Sequence, residues 1–234
     1  MTQTTTRIHV GDCLPWLGDK ETNSVDLVWS DPPYNAKKDY GPGAKDSLPW
    51  PEYWAWVDQW LPECERIARR GVALLLPHRL LREYWIRLPK ASQIIVPKHT
   101  QGCIQDGWQR QYLAVLSTAA CPEPRMAGAR CVDLLPNISL PGDGYFFKED
   151  RPAHPAFTCE ALASWGVNLL TEPGEVIADP FFGSGTMGVA ALRYGRGFIG
   201  CEQNFEFAAL AEKRIEQERD KLQLPFEEAH DAPV

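Results

Sequence analysis

The chain has 234 residues, of which 44% are hydrophobic and 11% aromatic, and a formal net charge of −7. That is enough apolar material for one sizeable core, and it excludes a disordered chain. No apolar run approaches the ~18 residues of a membrane span, and the seven cysteines are scattered without a CxxC pair, which fits reduced thiols better than a disulfide frame or a metal site.

The first seven residues contain no apolar stretch of the secretory kind, so a cytoplasmic protein without a membrane partner is expected. Arg7–Asp12 reads as a short strand ending in a turn. A short helix around Leu14–Leu17 leads to a buried strand over Val25–Ser30. The segment 35–50 is polar and reads as a mobile loop. Residues 51–69 look helical, with Pro51 in the first turn. The aromatic stripe of Trp50, Tyr53, Trp54, Trp56 and Trp60 is expected to pack into the core rather than stack on a base. Gly71–Leu76 is a buried strand by its unbroken apolar run. A helix over 78–88, a strand over Gln93–Val96 and a strand over Gln111–Leu116 follow. From Cys121 to Asp150 the chain is irregular and rich in Pro and Gly. Helices are predicted over 160–170, 184–194 and 204–222, with strands over Glu175–Ala178 and Gly197–Cys201. The tail after Pro225 is acidic and expected to fray. Alternating strands and helices predict a single α/β domain over 1–234, with a mostly parallel sheet covered on both faces.

Charge is unevenly spread. Residues 1–65 carry 5 basic and 11 acidic side chains, residues 66–130 carry 11 and 3, and residues 131–234 carry 8 and 17. The middle third is therefore a basic island: Arg66, Arg69, Arg70, Arg79, Arg82, Arg87, Lys90, Lys98, Arg110, Arg125 and Arg130. Taken one by one these are ordinary solvated cations. Taken together they predict a phosphate-contacting face on an otherwise acidic protein.

Asp31-Pro32-Pro33-Tyr34 directly follows the strand at 25–30. Two prolines cannot continue a central ladder, so a stiff turn begins at the strand's carboxyl end. The turn offers a carboxylate (Asp31), a backbone carbonyl (Pro32) and an aromatic face (Tyr34). Ligands of open α/β sheets bind beyond the carboxyl ends of the strands. Two acceptors beside a ring suit a planar ligand with an exocyclic amino group, such as a nucleic-acid base. An ordinary strand-ending loop, with Asp31 on a backbone N–H, is the simpler alternative.

A second constellation spans Asp179-Pro180-Phe181-Phe182-Gly183-Ser184-Gly185-Thr186. A strand ends, a glycine loop follows and a helix begins, leaving free N–H groups for a carboxylate. The next strand ends in Glu202, placed for two ribose hydroxyls. No Lys-Ser/Thr follows the glycines and the G-x-G-x-x-G spacing is absent, which argues against phosphate cradling. A ligand with ribose, adenine and carboxylate but no phosphate fits: S-adenosylmethionine.

With both motifs in this order, the chain resembles the beta-class amino-group DNA methyltransferases. In that family an Asp-Pro-Pro-Tyr motif precedes an Asp-Pro-Phe-x-Gly-Ser-Gly-Thr motif. Gly11-Asp12-Cys13-Leu14, Arg196–Glu202 and Lys213-Arg214-Ile215 resemble further family segments. His154-Pro155-Ala156-Phe157-Thr158 departs from the family's His-Pro-x-x-Lys-Pro-like pattern by lacking the Lys and the second Pro. The resemblance implies a Rossmann-like class I methyltransferase with permuted motif order. It implies double-stranded DNA as partner, S-adenosylmethionine as cofactor and restriction-modification as a setting, with a homodimer as one assembly. It implies a catalytic turn of Asp31, Pro32, Pro33 and Tyr34. On the cofactor side it places Asp12 and Cys13, Asp179 with Pro180 and Phe181, Gly183 with Ser184, Gly185 with Thr186, and Glu202. Phe181 would pack on the adenine, Gly183 and Gly185 would admit the methionine end, and Asp12 would meet the adenine amine.

Asp rather than Ser at the first motif position implies adenine N6 over cytosine N4. Cytosine C5 chemistry is disfavoured, because Cys121-Pro122 has the wrong order and place for a nucleophilic loop. An RNA or protein-amide methyltransferase, and a DNA-binding module that has lost turnover, are the alternatives from other classes. Target recognition is expected from an insertion at about 98–150.

Overall fold

The computed structural model describes residues 5–41, 43, 45–97, 112–119 and 160–223. Seven strands form one sheet: β1 (Thr6–Val10), β2 (Val25–Ser30), β3 (Ala68–Pro77), β4 (Ser92–Pro97), β5 (Tyr112–Ser117), β6 (Val176–Asp179) and β7 (Gly197–Glu202). Six helices cover it: α1 (Cys13–Gly18), α2 (Trp50–Ile67), α3 (Leu81–Arg87), α4 (Glu160–Leu170), α5 (Thr186–Arg193) and α6 (Phe205–Gln223). The strand order is β1-β7-β6-β2-β3-β5-β4. Every pairing from β1 through β3 is parallel, while β5 runs antiparallel to both β3 and β4. Six strands therefore point one way, and the α/β expectation holds.

The antiparallel strand carries a consequence for domain organisation. β5 lies inside the stretch 98–150 expected to hold target recognition, yet it is integral to the sheet. The flanking parts, 98–111 and 120–150, and the divergent segment at 154–158 lie outside the described residues.

Strand alternation sorts the core into two layers. Val72, Leu74 and Leu76 of β3 face one side, where they meet Leu17 of α1 and Tyr53, Trp60 and Cys64 of α2. Ala73 and Leu75 face the other, with Leu27 and Trp29 of β2 and the apolar sides of α4, α5 and α6. Trp60 and Tyr53 are fully buried, so the aromatic stripe of α2 is mainly core, each ring contributing on the order of 2–3 kcal/mol. Trp50, at the helix start, is the exception at 44% exposed. α4 can lie directly on Trp29 only because residue 166 is glycine. A Cβ there would come within 2.5 Å of the indole.

Pro51 enters α2 in its first turn, as expected. The predicted helix over 78–88 resolves into a 3-10 turn at His78–Leu80 followed by α3. Among the described residues no helix is long and apolar enough to cross a membrane.

Candidate functional site

The carboxyl ends of β1, β2, β6 and β7 open into one cleft. Parallel strands deliver their following turns to the same rim, so two motifs about 150 residues apart in sequence become neighbours. Asp31, Pro33 and Tyr34 line it from the β2 side. Asp179, Pro180, Phe181, Gly183, Ser184 and Thr186 line it from β6, Glu202 from β7, and Asp12 and Cys13 from β1. Two of the expected residues do not line it. Pro32 is buried, so only its backbone carbonyl remains as a candidate contact. Gly185 is turned away: it has φ +79, and a Cβ would meet the Cβ of Ala211 on α6 at 2.9 Å. Close helix packing and a left-handed turn by themselves require glycine there.

The turn at 31–34 is braced from beneath. The Tyr53 hydroxyl donates to the Pro33 carbonyl at 2.8 Å. With that proton spent, the 3.0 Å contact between the Tyr53 and Tyr84 hydroxyls makes Tyr84 the donor. The Tyr34 hydroxyl lies within hydrogen-bond reach of Asp31 Oδ1 and 3.1 Å from the Leu75 carbonyl. Arg79 donates to the Tyr34 carbonyl at 2.8 Å. Asp31 is thus held in a fixed orientation at the cleft wall.

The loop after β6 is organised by carboxylates. Asp179 is 3% exposed; its Oδ1 accepts from the Ser30 hydroxyl and, at 3.0 Å, from the Phe181 N–H. Burial pushes its pKa up to about 7, with Asp31 and Glu202 adding to the rise. Glu202 accepts from the Gly183 N–H at 2.8 Å and from the Asn204 N–H at 2.7 Å, and burial raises its pKa as well. Phe181 presents its ring to the cleft, held edge-on by Trp56 and Trp60 at 5.5 and 5.0 Å between centroids. Phe182 also lines the cleft, but its ring stacks on Phe198 and leaves no room for a Cβ at Gly200. From behind, Arg214 donates to the Ser184 carbonyl at 2.6 Å, to the hydroxyls of Ser184 and Thr186 at 3.1 Å each, and to Glu160 at 2.7 Å. The Lys213–Ile215 triplet therefore contains the strut of the cofactor-side loop.

Asp12 caps α1, accepting from the Leu14 N–H at 2.8 Å, and also lines the cleft, so its turn role leaves it at the cleft wall. Cys13 and Cys201 are neighbours there. Burial raises both thiols, Cys201 to about 12, and nearby Asp12 and Glu202 reinforce the shift. Protonated thiols in an acidic cleft are poor nucleophiles, so nothing marks either cysteine as an attacking group.

The segment 35–48 is tied down rather than loose. Lys37 N–H donates to the Asp46 carbonyl and Lys38 N–H to its carboxylate, both at 2.7 Å, and Asp46 is 1% exposed. Asn35 donates to the Leu48 carbonyl at 2.9 Å, and Asn204 to the Tyr40 carbonyl at 3.0 Å. The loop so folded adds Tyr40 and Lys45 to the cleft wall, and Trp56, Met187 and Gln203 complete it. None of these five was marked by the motifs. The signal available was Gly41 and Gly43, whose left-handed turns seat the loop against Asn204 and Gln203.

The described members of the basic island do not form one face. Arg66 is spent on Glu63 and on the Leu17 and Lys20 carbonyls, Arg69 on Asp26, Arg70 on Glu175, and Arg87 on Asp58 and Glu83. Arg82 and Lys90 are exposed, and Arg79 stands beside the cleft. Lys98, Arg110, Arg125 and Arg130 lie outside the described residues.

Residues 135–213 match a family profile described as DNA methylase. Type II methyltransferase M.HpaI of Haemophilus parainfluenzae is 24% identical over 91% of this chain and 74% of its own length. DNA adenine methyltransferase YhdJ of Escherichia coli (strain K12) is 26% identical over 90% of this chain and 82% of its own. Among solved structures, the cytosine-N4-specific PvuII DNA methyltransferase shares the fold with a TM-score of 0.67 and 19% identity, covering 93% of this chain and 92% of its own. M1.HpyAVI in complex with S-adenosylmethionine gives 0.60 at 19% identity, over 90% and 100% of the two chains.

Proposed function

We propose that this member of the N6/N4 DNA methylase family transfers a methyl group from S-adenosylmethionine to the exocyclic N6 of adenine in DNA. The observation that carries the reading is that the Asp31–Tyr34 turn and the Phe181–Glu202 half-site open into a single cleft. The donor set fits the cofactor. Asp12, Asp31, Asp179 and Glu202 make the cleft an acceptor-rich, anionic enclosure. Such an enclosure favours a cationic ligand carrying hydroxyl and amino donors, and it repels phosphates. Glu202 would hold the ribose, Phe181 the adenine face and Asp12 the adenine amine, while Ser184, Thr186 and Arg214 keep the loop in place.

An exocyclic amine is a weak nucleophile because its lone pair is delocalised into the ring. In a duplex it is also inaccessible, so the base is flipped out at a cost of a few kcal/mol. Tyr34 supports the flipped ring. Asp31 and the Pro32 carbonyl accept hydrogen bonds from the two N–H groups of the amine, which draws the nitrogen toward tetrahedral geometry and frees its lone pair. S-adenosylmethionine, when bound, supplies an electrophilic methyl on a sulfonium. Asp31 or solvent would receive the proton the nitrogen sheds as the methyl leaves the bound cofactor, the C–S pair staying on sulfur. The rate gain comes mainly from orientation and from acceptors matched to charge growing on nitrogen.

Adenine is favoured by Asp31 at the position where the resemblance gives Ser to cytosine enzymes. Cytosine N4 is the second reading. Incubation with labelled cofactor and unmodified DNA, followed by nucleoside mass spectrometry, is expected to yield N6-methyladenine. N4-methylcytosine would overturn the base assignment, and label confined to RNA or protein would overturn the substrate class. Asp31→Ala is expected to abolish transfer while calorimetry still registers cofactor binding.

A further inference from the structure

Arg79 occupies a position unlike the other described arginines of the basic island. It sits in the 3-10 turn at the carboxyl end of β3, on the rim that carries the cleft. One guanidinium nitrogen, Nη2, donates to the Tyr34 carbonyl at 2.8 Å. The guanidinium carbon lies 5.8 Å from the centroid of Trp50, whose ring is 44% exposed. Arg79 itself is exposed. A guanidinium has five N–H donors in a fixed fork, so most of its capacity remains after the bond to Tyr34.

The charge layout shows what that capacity meets. A flipped nucleotide enters with its flanking phosphates attached. The cleft interior, with Asp12, Asp31, Asp179 and Glu202, is hostile to phosphate, so the backbone has to stay at the rim beside Tyr34. Arg79 is the described cation bonded to the Tyr34 backbone there, while Lys45 lines the cleft wall. Resting on the proposed DNA-adenine reading, we propose that Arg79 anchors a target-strand phosphate next to the flipped base. It is a positioning residue. The same guanidinium grips the backbone of the catalytic turn, so phosphate capture and the placement of Tyr34 are one event. Trp50 orients the fork by cation–π contact.

β3 supplies its own control. Arg69, near its other end, is paired with Asp26 at 2.9 Å and sits about 30 Å away along the strand. Fluorescence anisotropy on unmodified duplex across a salt series reads the difference. Arg79→Gln keeps a donor for the Tyr34 carbonyl but loses the charge. It is expected to lower the slope of log affinity against log salt by about 0.9, and to weaken binding roughly fivefold at 0.15 M salt. Arg79→Lys is expected to restore the slope while lowering kcat, because an ammonium cannot fork between phosphate and carbonyl. Arg69→Gln is expected to leave the slope unchanged, and calorimetric titration with S-adenosylmethionine is expected to be unaltered in all three variants. A wild-type slope in Arg79→Gln, or an equal fall in Arg69→Gln, overturns the proposal while leaving the methyltransferase reading intact. A wild-type protein that titrates with cofactor but binds no DNA overturns both.

Discussion

The two ends of the sheet use the same residue types in opposite ways. At the amino ends of the strands, carboxylates are closed by arginines. Asp26 pairs with Arg69 at 2.9 Å and accepts the Val176 N–H at 2.8 Å, and Glu175 pairs with Arg70 at 2.8 Å and accepts the Glu172 N–H at 2.7 Å. At the carboxyl ends, Asp12, Asp31, Asp179 and Glu202 share one cleft, and hydroxyls and backbone N–H groups hold them in place. Hydrogen bonds fix their positions without cancelling their charge. Burial raises the pKa of Asp179, with Asp31 and Glu202 adding to the rise, and burial raises Glu202 too, so holding these two carboxylates in the cleft costs stability. The amino rim stabilises the fold, and the carboxyl rim spends stability on a site.

Substitutions at the carboxyl rim break this contrast most directly. Asp31→Asn keeps the shape and the acceptor for Tyr34 but removes the charge. It is expected to lower kcat by about 10²–10³-fold, the usual effect of losing one matched electrostatic group. Its melting temperature is expected to equal or exceed that of the wild type. An active Asp31→Asn would mean the carboxylate only shapes the turn. Next in size is Asp179. Its folded pKa is raised to about 7, above the unfolded value near 4, so the native state holds the proton more tightly. Stability therefore falls as pH rises through that window. Asp179→Asn, neutral throughout, is expected to match the wild type near pH 4. Its advantage should grow toward pH 7 and level off above it, at a gain on the order of 4 kcal/mol. Thermal melts of both proteins from pH 4 to 8 measure it, and a constant difference would show that Asp179 is ionised throughout.

How far the sequence carried depends on whether a feature is local. Strands at 25–30 and 71–76 were legible because a buried parallel strand is an unbroken apolar run. The turn at 31–34 was legible because two prolines stop a ladder in any context. Direction was not legible: nothing in Tyr112–Ser117 distinguishes an antiparallel neighbour of β3 from another parallel strand, because only the path of the connection decides it. Glycine roles were legible only in part. Gly183 does serve the loop, donating to Glu202, but Gly185 answers to Ala211, which is distant in sequence. Tyr40 and Lys45 were missed because they reach the cleft only through the fold of 35–48 around Asp46. The partners of the basic island were not legible either: Arg66, Arg69, Arg70 and Arg87 pair with carboxylates, three of them distant in sequence, while Lys98, Arg110, Arg125 and Arg130 lie outside the described residues.

Substitutions at the amino rim sharpen the contrast from the other side, with smaller effects and no change in cofactor or DNA binding. Asp26→Ala removes the partner of Arg69 and also strands the Val176 N–H, where β6 begins beside β2. Chemical denaturation is expected to register a loss of about 1–2 kcal/mol, most of it from the orphaned N–H rather than the ion pair.

Arg70→Met is the mildest of the series. The Arg70 and Glu175 side chains are 24% and 20% exposed, so solvent screens their attraction, and the methionine retains the apolar stem. Glu175 keeps the Glu172 N–H as a partner and gains no unpaired burial. A loss of about 0.5 kcal/mol in a urea titration is expected, with methyl transfer unchanged. Loss of activity without loss of stability would mean that the amino rim speaks to the cleft through β6, and the division of labour between the two ends would fail.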